Sequence, residues 1–248
     1  LGHILESVQT DIWVRFQNQI GSAGTWTLSQ DTDVPTGQGF SKSLKYDCTT
    51  ANASLSAGSY VQIVQRFEGQ NLQYLKKGTA NALSTTLSFW VKTNKTGTYI
   101  AELLDNDNTR QISKSYTVNV ANTWEKKTIT YSGDTTGTLD NDNGASLLLV
   151  LWLGAGTNFT SGTLSTTWTA STNANRAVGQ VNLADSTSNN FYITGVQLEA
   201  GTTASDFEFL PVDVNLERCQ RYYFNASPTY FIVARWDAGS GNPLGNYE

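Results

Sequence analysis

The chain has 248 residues, a formal net charge of −5 and only 15% charged residues, with 28 aromatic residues (7 Trp, 11 Tyr, 10 Phe), one histidine, two cysteines and no methionine. This aromatic content is too high for a disordered chain, and the residues typical of long helical bundles are scarce. The longest apolar run, residues 147–153, is far shorter than the roughly 20 residues of a membrane span. The acidic net charge argues against a nucleic-acid surface, and one histidine with two distant cysteines cannot form a Cys/His zinc site.

Short β-type runs, separated by clusters of Gly, Asn, Asp and Ser, dominate the chain. In chain order, the predicted strands are residues 11–17, 25–30, 42–48, 60–68, 86–93, 98–104, 114–120, 124–131, 145–153 and 190–199. They do not alternate with amphipathic helices, so a parallel α/β sheet is disfavoured. The pattern predicts an all-β protein, an antiparallel two-sheet jelly-roll sandwich followed by the start of a second small β module.

Alternation along each strand predicts which side chains face the core. Leu87, Phe89 and Val91 share one face, and Trp90 lies on the opposite face. The run 147–153 breaks the rule because it is apolar on both faces. Two interpretations remain open for this strand: a loop covers its second face, or that face packs in a subunit interface.

Three regions are predicted along the chain. Residues 1–10 form a leading segment from a longer chain, 11–210 form the sandwich, and 211–248 form a connector and the beginning of a C-terminal module. Within the sandwich, residues 154–189 are polar and rich in small residues, which predicts a functional loop or a loop with a small hairpin.

Glycan binding requires aromatic faces that pack on pyranose rings and planar polar groups that bind hydroxyls. Trp124 lies within a predicted strand and is not a leading candidate. The alternative for every aromatic candidate is packing in the core or at the rim of the sandwich. The predicted ligand-binding residues are Trp90, Phe159, Trp168, Arg176, Tyr192 and Trp236.

Two acidic loops place oxygen ligands at alternate positions, as calcium loops do. Asp105 and Asp107 belong to the first loop, and Asp140 and Asp142 belong to the second. Asx-rich turns that bond their own backbone are the alternative. The sequence therefore indicates no required cofactor, and a structural calcium ion is the metal to test. No carboxylate pattern predicts a convergent acid and base, so we expect no enzymatic activity.

The stretch from Asn190 to Gly201, followed by Phe207-Glu208 and Cys219-Gln220-Arg221-Tyr222-Tyr223, resembles a segment repeated in tail-fibre-like structural proteins of tailed phages and prophages. Further pieces match in the same order, so the resemblance extends over roughly residues 11–223. Those pieces are residues 11–13, 65–69, 87–92, 122–125 and 133–137. The resemblance implies a jelly-roll domain like that of carbohydrate-binding modules. Related modules often carry an Asp that binds calcium near the start of the last strand, and residues 192–196 of that strand include no carboxylate here.

From this resemblance we expect a non-enzymatic, tail-fibre-like module on the surface of the phage particle that binds host-surface glycans. Its other expected partners are virion proteins and further copies of the chain, with a trimer favoured, and we expect neither nucleic-acid binding nor membrane insertion. A purely structural interaction or capsid-decoration domain that mediates oligomer assembly is the alternative, and a polysaccharide depolymerase fragment is the third hypothesis.

Overall fold

The structure, a computed structural model, describes residues 3–4 and 16–220. Within these residues the strands are β1 (His3–Ile4), β2 (Phe16–Gly21), β3 (Thr25–Asp31), β4 (Ser43–Thr50), β5 (Tyr60–Glu68), β6 (Thr85–Thr93), β7 (Gly97–Asp105), β8 (Arg110–Val118), β9 (Glu125–Tyr131), β10 (Ala145–Ala155), β11 (Thr169–Ala170) and β12 (Asn190–Ala200). The α-helices are α1 (Thr157–Thr160) and α2 (Val212–Gln220), and short 3-10 helices span Gly69–Asn71, Gln73–Leu75, Asn173–Asn175 and Leu183–Asp185.

The strands form two antiparallel sheets. Sheet A has the order β3-β4-β12-β6-β9, with β1 also paired to β12, and sheet B has the order β11-β8-β7-β10-β5-β2. The chain crosses between the sheets repeatedly, for example from β4 in sheet A to β5 in sheet B and back to β6. The predicted all-β jelly-roll sandwich is therefore confirmed.

The predicted strands agree closely with those observed, and the largest shifts, four residues each, are at the end of β2 and at the start of β8. This strand begins at Arg110 rather than at residue 114, because a tight turn with Thr109 in the left-handed region (φ 52°) lets Arg110 pair with Asp105 at once. The sequence pattern did not indicate the two-residue strands β1 and β11. Residues 11–15 of the first predicted strand lie outside the described residues.

The main core lies between the sheets and follows the predicted alternation. Leu87, Phe89 and Val91 of β6 are fully buried in this core, whereas Trp90 on the opposite face is half-buried. Each sheet therefore has an inner apolar face and an outer face on which polar and aromatic side chains stand.

The strand that is apolar on both faces, β10, packs in two clusters. Its odd-numbered leucines, such as Leu149 and Leu151, join the main core. Val150 and Trp152 point to the outer side of sheet B, where a second cluster with Phe159 buries both completely. A segment of the same chain, residues 156–182, therefore covers the second face of β10. The loop interpretation is confirmed, and a subunit interface is not needed to explain the apolar sequence of this strand.

Two of the predicted regions, the leading segment and the connector, include residues that the structure describes. His3 and Ile4, within the predicted leading segment, pair with Glu199 and Leu198 of β12 and extend sheet A. Helix α2 lies in the predicted connector, and Trp236 lies outside the described residues. In the part of the chain that the structure describes, no helix is long and apolar enough to cross a membrane.

Candidate functional site

A row of aromatic and charged side chains crosses the outer face of sheet A. Tyr192 of β12 stands between its direct cross-strand partners, Lys45 of β4 and Lys92 of β6. The two Nζ atoms lie 5.5 and 5.3 Å from the centre of the Tyr192 ring. The Trp124 ring meets Tyr192 edge-on at a centroid distance of 6.3 Å. We call these four residues the Tyr192 row.

Two carboxylates neutralise the lysines of the Tyr192 row. Asp33 accepts a hydrogen bond from the Trp124 Nε1 at 2.8 Å and pairs with Lys92, and Lys45 pairs with Asp47 at 2.7 Å. Desolvation raises the pKa of Asp33, but the hydrogen bonds from Lys92 and Trp124 outweigh it and lower the pKa below its ordinary value. The hydrogen bond to Asp47 raises the pKa of Lys45. The shifts of both pKa values favour the charged forms of Asp33 and Lys45.

Glu125 fixes the turn that carries Trp124. Its carboxylate accepts the backbone N–H groups of Asn119 and Val120, both at 2.8 Å, and pairs with Lys127 at 2.5 Å. Desolvation raises the pKa of Glu125, but these hydrogen bonds outweigh it and lower the pKa to about 2. The Trp124 indole thus lies on a turn in which the ionised Glu125 side chain accepts hydrogen bonds from two backbone N–H groups.

A bulge in β12 limits the row on one side. Gly195 has φ +60°, and the pairing with β6 shifts register between Thr194 and Gln197. A Cβ at Gly195 would lie 2.4 Å from the ring of Phe40, which also packs against Phe207 at 5.0 Å between ring centres. This aromatic cover closes the adjacent part of the outer face and leaves the Tyr192 row beside it.

Two of the predicted ligand-binding residues share the outer face of sheet A. Trp90 is half-buried on β6, and its cross-strand partners are Thr194 of β12 and Lys126 of β9. Tyr192 lies two residues before Thr194 on β12 and is also half-buried. The structure therefore brings Trp90 and Tyr192 onto one surface in neighbouring rows.

Arg176 and Phe159 lie on the other side of the molecule and have internal partners. Arg176 forms a two-pronged ion pair with Glu102, from Nε at 2.8 Å and from Nη2 at 3.1 Å, and its guanidinium lies 5.2 Å from the Trp152 ring. Phe159 packs on Trp152 at 5.2 Å and edge-on against Tyr60 at 5.7 Å. Both residues hold the segment 156–182 on sheet B, so we leave them out of the candidate glycan site.

Trp168 is anchored in a buried ion cluster that the sequence did not reveal. Its Nε1 donates to the Ser132 carbonyl at 2.7 Å, and the Nζ of Lys77 lies 5.0 Å from its ring. Lys77 pairs with Asp105 and with Asp134 at 3.0 Å. The indole Nε1 of Trp168 is thus already engaged, and the prediction that Trp168 binds a glycan stays a prediction.

The two acidic loops contact each other rather than surround a common centre. Asp105 is buried against Lys77, and the side chain of Asp107 accepts the backbone N–H of Asp140 at 2.9 Å. Asp142 accepts the N–H of Gly144 at 2.7 Å, as in an Asx turn. Among the described residues, no group of three or more His, Cys, Asp or Glu side chains is placed to hold a metal ion. These contacts agree with the turn alternative.

Comparisons with known proteins name neighbours only at low similarity. No protein-family model matches the chain, and no curated protein is similar to it in sequence. The enzymatically active domain of tailspike protein 4 of bacteriophage CBA120 is 15% identical with a TM-score of 0.42, over 75% of this chain and 19% of that chain. The C-terminal family 22 carbohydrate-binding module of Clostridium thermocellum Xyn10B is 14% identical with a TM-score of 0.42, over 82% and 98%.

A family 11 carbohydrate-binding module from Clostridium thermocellum, solved with a β-1,3-1,4-mixed-linked tetrasaccharide, is 11% identical with a TM-score of 0.43, over 81% of this chain and 96% of that chain. The chain thus spans 19% of the length of the tailspike protein and nearly the full length of the two modules. Similarities this low do not establish a shared ligand or activity.

Proposed function

We propose that this chain is a non-enzymatic glycan-binding module of a phage appendage, and that the Tyr192 row binds the saccharide. The observation that carries the proposal is the juxtaposition of Tyr192 and Trp124 with two ammonium groups and two carboxylates on an open sheet face. Aromatic rings offer apolar contact to the C–H face of a pyranose, and charged pairs donate and accept hydrogen bonds to its hydroxyls. This combination is typical of glycan recognition.

The accessibility of the charged groups supports this choice of surface. The side chains of Asp33 and Asp47 are 38% and 37% exposed, so their oxygens can accept hydrogen bonds from a ligand. By contrast, Glu102 on the outer face of sheet B is fully buried beneath the segment 156–182. Sheet A therefore offers the more open outer face of the two.

Binding rather than hydrolysis is favoured by the state of the buried carboxylates. Glu102 is paired with Arg176, and Asp105 and Asp134 share Lys77. Glycoside hydrolysis requires two carboxyl groups that flank the glycosidic bond, and these three are buried against cations of the same chain. Incubation with host polysaccharide should accordingly release no reducing sugar, and sustained release would support the depolymerase hypothesis instead.

The assignment to a virion rests on the order of the matching sequence pieces, above all residues 190–201 and 219–223. A position on the particle surface, contacts with other virion proteins and a trimeric assembly are parts of the same proposal. Antibodies against the chain should label the appendages of intact particles in electron micrographs, and labelling confined to the lysate would contradict the assignment.

A purely structural role is the second candidate, and helix α2 favours it. Val212 and Leu216 are 75% and 50% exposed on this helix, and Val214 is 37% exposed. Exposed apolar side chains in one helix are typical of protein contacts. Sedimentation of the full chain, with and without Leu216→Ser, tests this role: a wild-type oligomer that the substitution dissociates would support it.

A glycan array probed with the full chain tests the leading proposal. We expect the wild type to bind defined glycans and Trp124→Ala to lose this binding. Trp168→Phe tests the competing prediction that Trp168 binds the glycan; because this half-buried residue lies outside the row, we expect this variant to bind as the wild type does. Binding that survives Trp124→Ala but is lost with Trp168→Phe would contradict the proposed site.

A further inference from the structure

A cleft of about 450 Å3 lies between the 3-10 turns that follow β5 and the loop that follows β9. Its volume falls within the range of small-molecule sites. Leu72 and Leu139 form an apolar part of its lining, and both are buried. The polar side chains of the lining are those of Gln73, Thr79, Asn81 and Thr138. The Gln73 amide nitrogen already donates to backbone carbonyls, and the Thr79 hydroxyl donates to the Lys76 carbonyl at 2.7 Å, so Asn81 and Thr138 are the more available groups. The cleft therefore combines an apolar surface with amide and hydroxyl groups.

The two adjacent lysines of the cleft lining, Lys76 and Lys77, differ in whether their positive charge is neutralised. The ammonium of Lys77 is neutralised by Asp105 and Asp134 and also donates to the Gly137 carbonyl at 2.9 Å. Lys76 is exposed and has no ion-pair partner among the described residues. The cleft thus presents one uncompensated positive charge, that of Lys76, beside a buried charge that is fully paired.

The contacts of Lys77 and Gly78 hold the walls of the cleft together. Lys77 ties its own segment to the loop 134–139, and the N–H of Gly78 donates to the Asp134 carbonyl at 2.8 Å. Gly78 has φ +82°, and a Cβ there would lie 2.6 Å from the backbone nitrogen of Thr138, so only glycine allows this close approach. A site held in this way requires little ordering when a ligand binds.

We propose that this cleft binds a small carboxylated saccharide unit of the uronic acid class. The apolar lining would contact the C–H face of the sugar, and the Asn81 amide and the Thr138 hydroxyl would bind its hydroxyl groups. Lys76 would pair with the carboxylate in a charge-assisted hydrogen bond. The cleft shares no residue with the Tyr192 row, so this site goes beyond the proposed function and can fail independently of it.

Titration of the full chain with D-glucuronic acid, followed by calorimetry and NMR, tests the site. D-glucose is the matched neutral sugar, and acetate is the matched small carboxylate. We expect glucuronate to bind at least about tenfold more tightly than either, because only glucuronate uses both the polar lining and Lys76. The backbone shifts that change most should be those of Asn81 and Thr138.

Two lysine variants test the role of the charge. Lys76→Gln should weaken glucuronate binding by about tenfold or more, since it removes the charge and keeps a flexible polar side chain that is one atom shorter. Lys126→Gln, at an exposed lysine of β9, should bind as the wild type does. Thermal unfolding of both variants verifies the fold, and Asn81→Ala provides a second, uncharged change in the lining.

Three results would overturn the site. Glucuronate that binds no more tightly than acetate would leave only a nonspecific anion contact, and unchanged binding by Lys76→Gln would remove the charge argument. Loss of glucuronate binding with Tyr192→Ala would move the ligand to the Tyr192 row. Glucuronate binding that persists in Tyr192→Ala while the array glycan is lost would support both sites independently.

Discussion

Replacing Arg176 with alanine should destabilise the protein strongly, because it leaves the carboxylate of Glu102 buried without its counter-ion. Glu102 is completely buried and accepts three hydrogen bonds, two from Arg176 and one from the Trp152 Nε1 at 3.0 Å. Removing one partner of a buried ion pair lowers the free energy of unfolding by about 3–5 kcal/mol. The Arg176 side chain is 15% exposed, so water can partly replace it. We therefore expect Arg176→Ala to lower the free energy of unfolding by about 3 kcal/mol.

The free energy of unfolding, measured in urea, gives the size of this effect. For a domain of this length, a loss of about 3 kcal/mol corresponds to a decrease in Tm of about 6–12 °C. The double variant Glu102→Gln with Arg176→Met is the control, since it removes both charges together. It should be more stable than Arg176→Ala alone, because replacing a buried ion pair with less polar groups is often close to neutral.

Two results would refute this reasoning. A loss below about 1 kcal/mol for Arg176→Ala would mean that the ion pair does not hold the segment 156–182 on sheet B. A double variant as unstable as the single one would mean that the lost contacts with Trp152, rather than the unpaired charge, dominate. Either outcome would also reopen the prediction that Arg176 contacts a ligand.

Further predictions concern pH, backbone geometry and the ion cluster. The lowered pKa of Glu125 contributes stability that is present above about pH 4.5 and is lost as the pH falls towards 2, so Glu125→Gln should flatten the acid limb of a stability curve measured by urea unfolding. Gly195→Ala should cost more than Gly37→Ala in the same assay, since both have positive φ but only Gly195 faces the Phe40 ring; equal costs would contradict this. Lys77→Met should lower the Tm by several degrees, because it leaves the buried Asp105 carboxylate without its cation, whereas Asp134 keeps its ion pair with Arg110; an unchanged Tm would show that water replaces the cation.

The strands could be predicted because their information is local. Each strand carries an alternation of period two, so the inward face of β6 and the outward position of Trp90 followed from residue order alone. A strand such as β10 is ambiguous for the same reason: the apolar residues on its second face indicate burial but not what buries them.

The composition of the site could not be predicted, because it depends on which strands are neighbours. Lys45, Lys92 and Tyr192 are far apart in the sequence and meet only because β12 lies between β4 and β6. Trp124 was set aside as a strand residue, yet it ends a turn and reaches Asp33, 91 positions earlier in the chain. Alternation specifies a face but not the register between distant strands.

The internal contacts of the polar segment 154–189 could not be predicted for a related reason. Its small and polar residues are typical of an open loop, and Arg176 within it was predicted to reach a ligand. The segment instead folds back on sheet B, and its polar groups bond to buried side chains of the sheet. Gln111, for example, donates to the Ser165 hydroxyl at 2.9 Å and accepts from the Ser171 hydroxyl at 2.9 Å. Nothing in the segment itself indicates these distant partners.

The affinity of the best array glycan for Tyr192 variants tests the central claim most directly. Calorimetry is done on the wild type, Tyr192→Phe and Tyr192→Ala at one pH and salt concentration. Tyr192→Phe removes only the hydroxyl, whereas Tyr192→Ala removes the ring as well. The Tyr192 row predicts that Tyr192→Ala loses about tenfold or more in affinity, about 1.4 kcal/mol, whereas Tyr192→Phe keeps most of it. Equal affinities for all three proteins, with the fold intact, would show that the glycan binds elsewhere.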